Sequence, residues 1–202
     1  MMFPAFSKEE TLRRLSTLLP IGQRAFGLLC CERMLPNYVA FQAETNGGDS
    51  IPLREAMEMA WESIESRADD SRVRRLSEMC EFVAPNSEQF VSRFTTPAQD
   101  ACFAICCVLD HILKPDPERI AQVATFATDS IDLYVQEIEA IQPNAPNLEE
   151  LILAHPLMQR ELARQDQDFS NVQVALSDRQ SVASRLLALR HMAKRGDGSL
   201  KL

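Results

Sequence analysis

The stretch Cys31-Glu32-Arg33-Met34-Leu35-Pro36-Asn37-Tyr38, running on through Phe41 to Asp49, decides how this chain is read. Upstream of Pro36, the residues Ile21, Ala25, Phe26, Leu28, Leu29, Cys30, Cys31, Met34 and Leu35 fall on all sides of a helix. That is the pattern of a helix buried on most faces. Pro36 has no N–H, so the pattern predicts either a kink there or a second helix with Pro36 in its first turn. Gly47-Gly48-Asp49 should end the segment, since glycine takes the left-handed conformation at little cost. Glu32 and Arg33 sit inside this apolar run. They read either as a charge pair closing a core helix or as one wall of a pocket in which Glu32, Arg33, Asn37 and Tyr38 face a ligand. An arginine so placed is costly if unpaired, so Arg33 is expected to meet an acid, with Asp100 and Glu62 as first candidates.

Outward from this stretch the periodicity is helical throughout. Ser7-x-x-Glu10 is a capping box that starts a helix near Lys8. Ser50 and Pro52 open the next helix after the glycines. There Leu53, Ala56, Met57, Ala60, Trp61 and Ile64 form an apolar stripe, opposed by Arg54, Glu55, Glu58, Glu62 and Glu65. Asp69-Asp70-Ser71 opens a further helix, closed by Ala84-Pro85-Asn86. A short helix is expected around Glu88–Arg93. Thr96-Pro97 then starts a second helix that is apolar nearly all round, expected to pack against the one ending at Met34. Asp100 lies in its first turn, either as a residue favoured by the helix dipole or as a buried acid facing Arg33. His111, near its end, reads as a surface or capping histidine.

Asp116-Pro117 starts a helix running to about Ile141. Residues 142–147 form a linker, and a short helix over Leu148–Ala154 ends at His155-Pro156. The last segment, 157–195, reads as one long helix. Its near-heptad seam of Met158, Leu162, Phe169, Val172, Leu176, Ala183 and Leu186 is interrupted by Gln165, Arg179 and Arg190. Such a helix is about 60 Å long at 1.5 Å per residue. A domain of this size is only about 45 Å across. An overhang exposing Leu176, Leu186, Leu187 and Leu189 would call for a partner, most simply a second copy. The rival is a break near Ser177-Asp178, with Asp178 capping a helix that folds back. The fold expectation is therefore an all-α single-domain bundle of seven to nine helices over residues 1–195, with a long C-terminal helix and a flexible tail at 196–202.

The residues Cys31-Glu32-Arg33-Met34, Pro36-Asn37-Tyr38, Phe41, Gly48-Asp49 and Trp61-Glu62, with Pro97-Ala98-x-Asp100-Ala101-Cys102 further on, resemble the YjaG-like bacterial family, domain of unknown function 416. The resemblance spans roughly residues 10–195. It implies a compact all-helical bacterial protein and carries no established activity or catalytic residues. The C-terminal Gly196-Asp197-Gly198-Ser199-Leu200-Lys201-Leu202 departs from the Ser-Asn-Ile-Gly-like ending common in the family.

Composition narrows the function classes. The chain has 202 residues and a net charge of −8, which disfavours general nucleic-acid binding, where phosphate neutralisation supplies most of the affinity. Residues 115–168 carry 3 basic and 11 acidic groups, whereas 169–202 carry 6 basic and 2 acidic, so the two regions are complementary in sign. The longest wholly apolar run, Ala101 to Leu109, is too short to span a bilayer, and the N-terminus lacks a signal-peptide pattern. The expectation is a cytoplasmic protein that engages neither membrane nor nucleic acid. Six cysteines without a C-x-x-C read as reduced, mostly buried thiols. No Gly-rich phosphate loop, H-E-x-x-H, E-x-x-H or G-x-S-x-G occurs, so no catalytic residue, metal site or cofactor is assigned. Two classes remain. One is a non-catalytic helical interaction module, as a homodimer or with a helical partner. The other is a small-molecule-binding protein or enzyme with a polar pocket drawn from Glu32, Arg33, Asn37, Tyr38, Glu62 and Asp100.

Overall fold

A computed structural model describes residues 5–177, 181–193 and 198–200. Among them lie nine helices and no strand: α1 (Lys8–Leu15), α2 (Pro20–Thr45), α3 (Ile51–Glu62), α4 (Asp70–Phe82), α5 (Thr95–Leu113), α6 (Pro117–Ile138), α7 (Leu148–Ala154), α8 (Pro156–Ser177) and α9 (Val182–Ala193). The all-α expectation holds.

α2 is the axis of the bundle. It packs against α3, α5, α6, α8 and α9, which explains why its apolar residues leave no polar face. Gly27 permits a close approach: a Cβ there would meet Ile120 Cδ1 at 3.0 Å and Val108 Cγ2 at 3.2 Å. Pro36 lies inside α2 and neither ends nor divides it. The two nearly all-apolar helices, α2 and α5, pack together as their composition predicts.

Local chemistry sets most of the boundaries. Ser7 Oγ accepts from Glu10 N at 3.2 Å, one half of the expected capping box, and Asp69 and Asp116 cap α4 and α6 in the same way. At α3 the cap comes from Asp49, whose carboxylate accepts from Ile51 N at 2.9 Å, rather than from Ser50. The helix expected around Glu88–Arg93 is a run of turns instead. Asn86 Oδ1 accepts from Glu88 N at 2.9 Å and Ser92 Oγ from Phe94 N at 3.1 Å. These side chains take donors that a helix would need.

His111 is fully buried, not a surface residue. Gln23 Nε2 donates to the Leu15 and Leu18 carbonyls at 3.1 Å each, which leaves Gln23 Oε1 to face His111 Nε2 at 3.0 Å. The imidazole must therefore be the donor, protonated at Nε2 and neutral. Burial, with Arg24 nearby, lowers its pKa to about 4. This contact ties the α1–α2 turn to the end of α5.

The single helix expected over 157–195 is two. α8 ends at Ser177, α9 begins at Val182, and α9 packs back against α2 and α8. Leu186 is completely buried and Leu176, Leu187 and Leu189 are partly buried, so there is no overhang. Folding back puts Phe169 of α8 and Leu186 of α9 in the same hydrophobic core. Asp178, the candidate cap, lies outside the described residues. Cys30, Cys102 and Cys106 are buried as expected, and all six cysteines are free.

α2 ends with Asn46 in the left-handed region at φ 53, one residue before the expected glycines, and Gly48 follows at φ 78. A Cβ on Gly48 would lie 2.7 Å from Tyr38 Oη and 3.2 Å from Phe41 Cε1. Gly48→Ala is therefore expected to destabilise the protein by about 1–3 kcal/mol, through backbone strain and this clash. Urea unfolding measures it, and an unchanged midpoint would contradict the geometry.

Candidate functional site

The polar residues of α2 leave the helix in different directions, and each meets a different element. Arg33 is the most enclosed cation among the described residues, with only 5% of its side chain exposed. It turns to α8, not to Asp100 or Glu62 as expected. Its Nη2 and Nε donate to Glu161 at 2.8 and 3.1 Å, and Nη1 donates to Asp168. A further bond runs from Nη1 to the Leu29 carbonyl at 3.1 Å. Burial opposes the charge on Arg33, but Glu161 and Asp168 outweigh it and raise its pKa. Gln165, one turn after Glu161, donates to that carboxylate at 3.1 Å and to the Ala124 carbonyl on α6 at 3.3 Å.

Glu32 points the other way. Trp61 Nε1 on α3 donates to it at 2.8 Å and Arg190 Nε on α9 at 3.2 Å. The Arg190 guanidinium lies 5.5 Å from the Trp61 ring centroid and also reaches Glu58. Charge, indole N–H and ring face together fasten α9 across α2 and α3.

Asn37 exchanges hydrogen bonds with Ser199, donating from Nδ2 at 2.9 Å and accepting at Oδ1 at 3.1 Å. Ser199 N donates to the Arg33 carbonyl at 2.7 Å, one residue beyond the Glu32 carbonyl that Pro36 cannot serve. Arg160 Nη2 holds the Gly198 and Ser199 carbonyls at 3.1 and 2.6 Å. Residues 198–200, placed by sequence in a tail, are thus packed on α2. Gly198 fits because a Cβ would come within 3.0 Å of Pro36.

Tyr38 donates to the Val83 carbonyl at 2.7 Å and accepts from Asp49 N at 3.1 Å, and burial pushes its phenol up to about 12. Glu62 is exposed and meets Arg72 at a loose 3.5 Å. Asp100 lies in the first two turns of α5 and accepts from Ser130 Oγ on α6 at 2.8 Å. Burial raises it to about 6, with the Ser130 bond working the other way and Asp129 adding to the rise.

The six residues singled out by sequence therefore form no common constellation. Four fasten α2 to its surroundings, Asp100 joins α5 to α6, and Glu62 stands on the surface. Among them, Arg33 reaches a cleft of about 190 Å³, shared with Arg164, Gln167, Asp168 and Asn171. A larger cleft of about 450 Å³ lies between α1 and α8, beside Arg14, Phe26 and Phe169. No group of three or more His, Cys, Asp or Glu suited to a metal occurs among the described residues. Glu161 and Asp168 were not found from sequence. A signal for Glu161 was present, since Gln165, which interrupts the apolar seam, donates to it.

Fold and polar network define an all-helical protein whose central helix carries its own set of fasteners. Residues 10–199 match the family described as "Protein of unknown function (DUF416)", and the chain belongs to that family. It is 25% identical over 134 residues to "Uncharacterized protein YjaG" of Escherichia coli (strain K12), and equally so to that of Salmonella typhimurium. These matches cover 65% of this chain and 65% of each relative's length. The crystal structure of a DUF416 family protein from Shewanella baltica OS155 superposes with a TM-score of 0.83 at 22% identity, covering 95% of this chain and 97% of that one. It shares the fold.

Breaking one partner of a buried ion pair costs about 3–5 kcal/mol, because the other charge is left stranded. Arg33→Met should accordingly lower the melting temperature by roughly 6–20 °C. Replacing Arg33, Glu161 and Asp168 together with apolar residues should recover much of that loss. A single-variant shift under about one degree would mean that the pairing does not support the fold.

Asp100 gives a pH signature. Its folded pKa of about 6 lies above the reference of 3.8, so the folded state binds the proton more tightly and stability falls as pH rises between these values. Asp100→Asn should stabilise the protein by up to about 3 kcal/mol at pH 8. The gain should vanish near pH 4. Urea midpoints of both proteins across this range provide the check, and a pH-independent difference would contradict it.

Proposed function

We propose that this protein is a helical interaction module that pairs with a second copy of itself through α4, and that it works in the cytoplasm. Six free thiols support a reducing compartment, and no helix among the described residues is long and apolar enough to cross a membrane. The observation that carries the reading is Phe82, at the end of α4, with 89% of its surface exposed. It borders a groove of about 280 Å³ lined by Phe41, Val83, Pro85 and Phe90. Met79 is exposed one turn earlier, and Val91 is fully exposed nearby in sequence. Exposed apolar surface of this kind, rimmed by charge, marks interaction sites.

The charges on α4 supply the argument for a second copy. Ser71, Arg75, Glu78 and Phe82 are all exposed and recur at i, i+4, i+7 and i+11, so they share one outward stripe. About a two-fold axis between two antiparallel α4 helices, Arg75 of one copy faces Glu78 of the other, and the reverse. Phe82 then covers the partner's first turn at Ser71. A symmetric interface needs a self-complementary patch of this form. The overhanging helix that first suggested a dimer is absent; the support now comes from α4.

The ligand-binding alternative keeps the cleft beside Arg33. There, Arg33 is already held by Glu161 and Asp168, so its guanidinium is committed to the fold.

Light scattering at micromolar concentration and low salt should give a dimer mass that falls toward the monomer in high salt. Phe82→Glu should abolish it. Glu78→Arg alone should weaken the dimer by like-charge contact, and Arg75→Glu combined with Glu78→Arg should restore it. A monomer mass under every condition would overturn the proposal.

A further inference from the structure

Residues 198–200 lie on α2 and α8 as a bound peptide would, and each of the three meets its own contact. Gly198 sits against Pro36, where an added Cβ would come within 3.0 Å of the ring. The hydroxyl of buried Ser199 accepts from Asn37 Nδ2 at 2.9 Å and donates to Asn37 Oδ1 at 3.1 Å. Leu200 is buried in an apolar cluster with Ile131 and Val135 of α6, Ile152 of α7 and Leu157 and Met158 of α8. The backbone is gripped separately. Ser199 N donates to the Arg33 carbonyl at 2.7 Å, and Arg160 Nη2 donates to the Gly198 and Ser199 carbonyls at 3.1 and 2.6 Å. Main-chain bonds for grip, with side-chain sites for sequence, are the division of labour in peptide recognition. We propose that this groove is a peptide-recognition site for a Gly-Ser-Leu segment, filled here by residues 198–200 and able to take the same segment of a second copy in exchange.

The walls of the groove are fastened by bonds other than those to its occupant. Arg33 ties α2 to α8 through Glu161 and Asp168, Gln165 ties α8 to α6, and α7 packs on α8. None of these contacts uses residues 198–200. The preference for sequence follows from what surrounds each position. Without the serine hydroxyl, the Asn37 amide loses both of these partners inside the core, where unpaired polar groups are costly. Pro36 resists a side chain at 198, and an acid at 200 would enter an apolar cluster. The same segment from a second copy keeps every one of these contacts and changes only the tether. Charge favours its capture: residues 194–202 carry Lys194, Arg195 and Lys201 against Asp197, while α7 opens with Glu149 and Glu150. This exchange needs no residue of the α4 surface. A chain's own segment competes at an effective concentration of about a millimolar, so a segment supplied from outside enters by displacing it.

The test titrates a fluorescein-labelled synthetic peptide of residues 194–202 with the full chain and reads fluorescence anisotropy. Leu200→Asp in the full chain should expel its own segment and leave the groove to the peptide, its circular dichroism unchanged. That variant should bind the peptide about tenfold or more tightly than the wild-type chain, because the tethered competitor is gone. Peptides carrying Ser199→Ala or Gly198→Ala should bind the variant about tenfold more weakly than the unsubstituted peptide. Should Leu200→Asp fail to fold, the wild-type chain decides at about 1 mM peptide, a concentration matched to the tethered segment. A peptide with a diazirine-bearing leucine at position 200 should then cross-link to Ile152, Leu157 or Met158 on irradiation. No binding by a folded Leu200→Asp chain, equal binding by that chain and the wild type, equal affinity for all three peptides, or a wild-type chain without that cross-link would each overturn the proposal.

Discussion

The structure depends on one buried cation. Arg33 sits near the middle of α2, between the buried Cys30, Cys31 and Met34, and a guanidinium there is tolerable only if its donors are met. α8 meets them. Glu161 and Asp168 are seven residues apart and lie on one face of that helix, with Gln165 between them, so one short stretch supplies two carboxylates and an amide. The planar fork of arginine suits two carboxylates in this way, and lysine would not. An ion pair of this depth adds little net stability over an apolar core, but it fixes which face of α8 meets α2. A slip of α8 by one residue would strand both carboxylates in the core.

Once α8 is fixed, the C-terminal chain has little freedom. α9 comes back onto α2 and is held by Arg190, which closes on Glu32 one residue before Arg33. Residues 198–200 come back further along the same helix, to Asn37 and to the Arg33 carbonyl beside Pro36. Pro36 itself packs against this segment, where Gly198 leaves room for its ring. The proline also withdraws the ladder donor of the Glu32 carbonyl, and Ser199 N donates to the next carbonyl, that of Arg33. Glu32, Arg33 and Asn37 are thus three successive anchor points for the three last segments of the chain.

This explains what could be read from the sequence and what could not. Helix positions follow from apolar spacing and from capping residues such as Ser7, Asp69 and Asp116, whose effects are local. α7 falls on the very residues expected, because Pro156 cannot continue it and opens α8 instead. The partners of Arg33 were not legible. Asp100 and Glu62 were the acids nearest in motif, yet pairing is set by where α8 lies, more than a hundred residues away in sequence. His111 was misread for the same reason: its acceptor, Gln23, is on another helix. The division between α8 and α9 was open because a thin apolar seam continues across it. Gln165 and Arg190 looked like defects in that seam, when each marks a point at which α8 or α9 touches a charged residue of the core.

The family-specific run and the outer face of α4 therefore answer to different constraints. Substituting Glu32, Arg33, Asn37 or Tyr38 breaks an internal bond, so these positions are bound by the fold itself. That suffices to account for a specific motif without any chemistry performed at it. α4 is bound only on its inner side, by Val73, Leu76 and Cys80. Nothing internal requires a phenylalanine at position 82, where most of the ring lies in water and folding gains little from it. A residue that the fold does not need, set in a stripe whose charges match their own reversal, points to a demand from outside the chain.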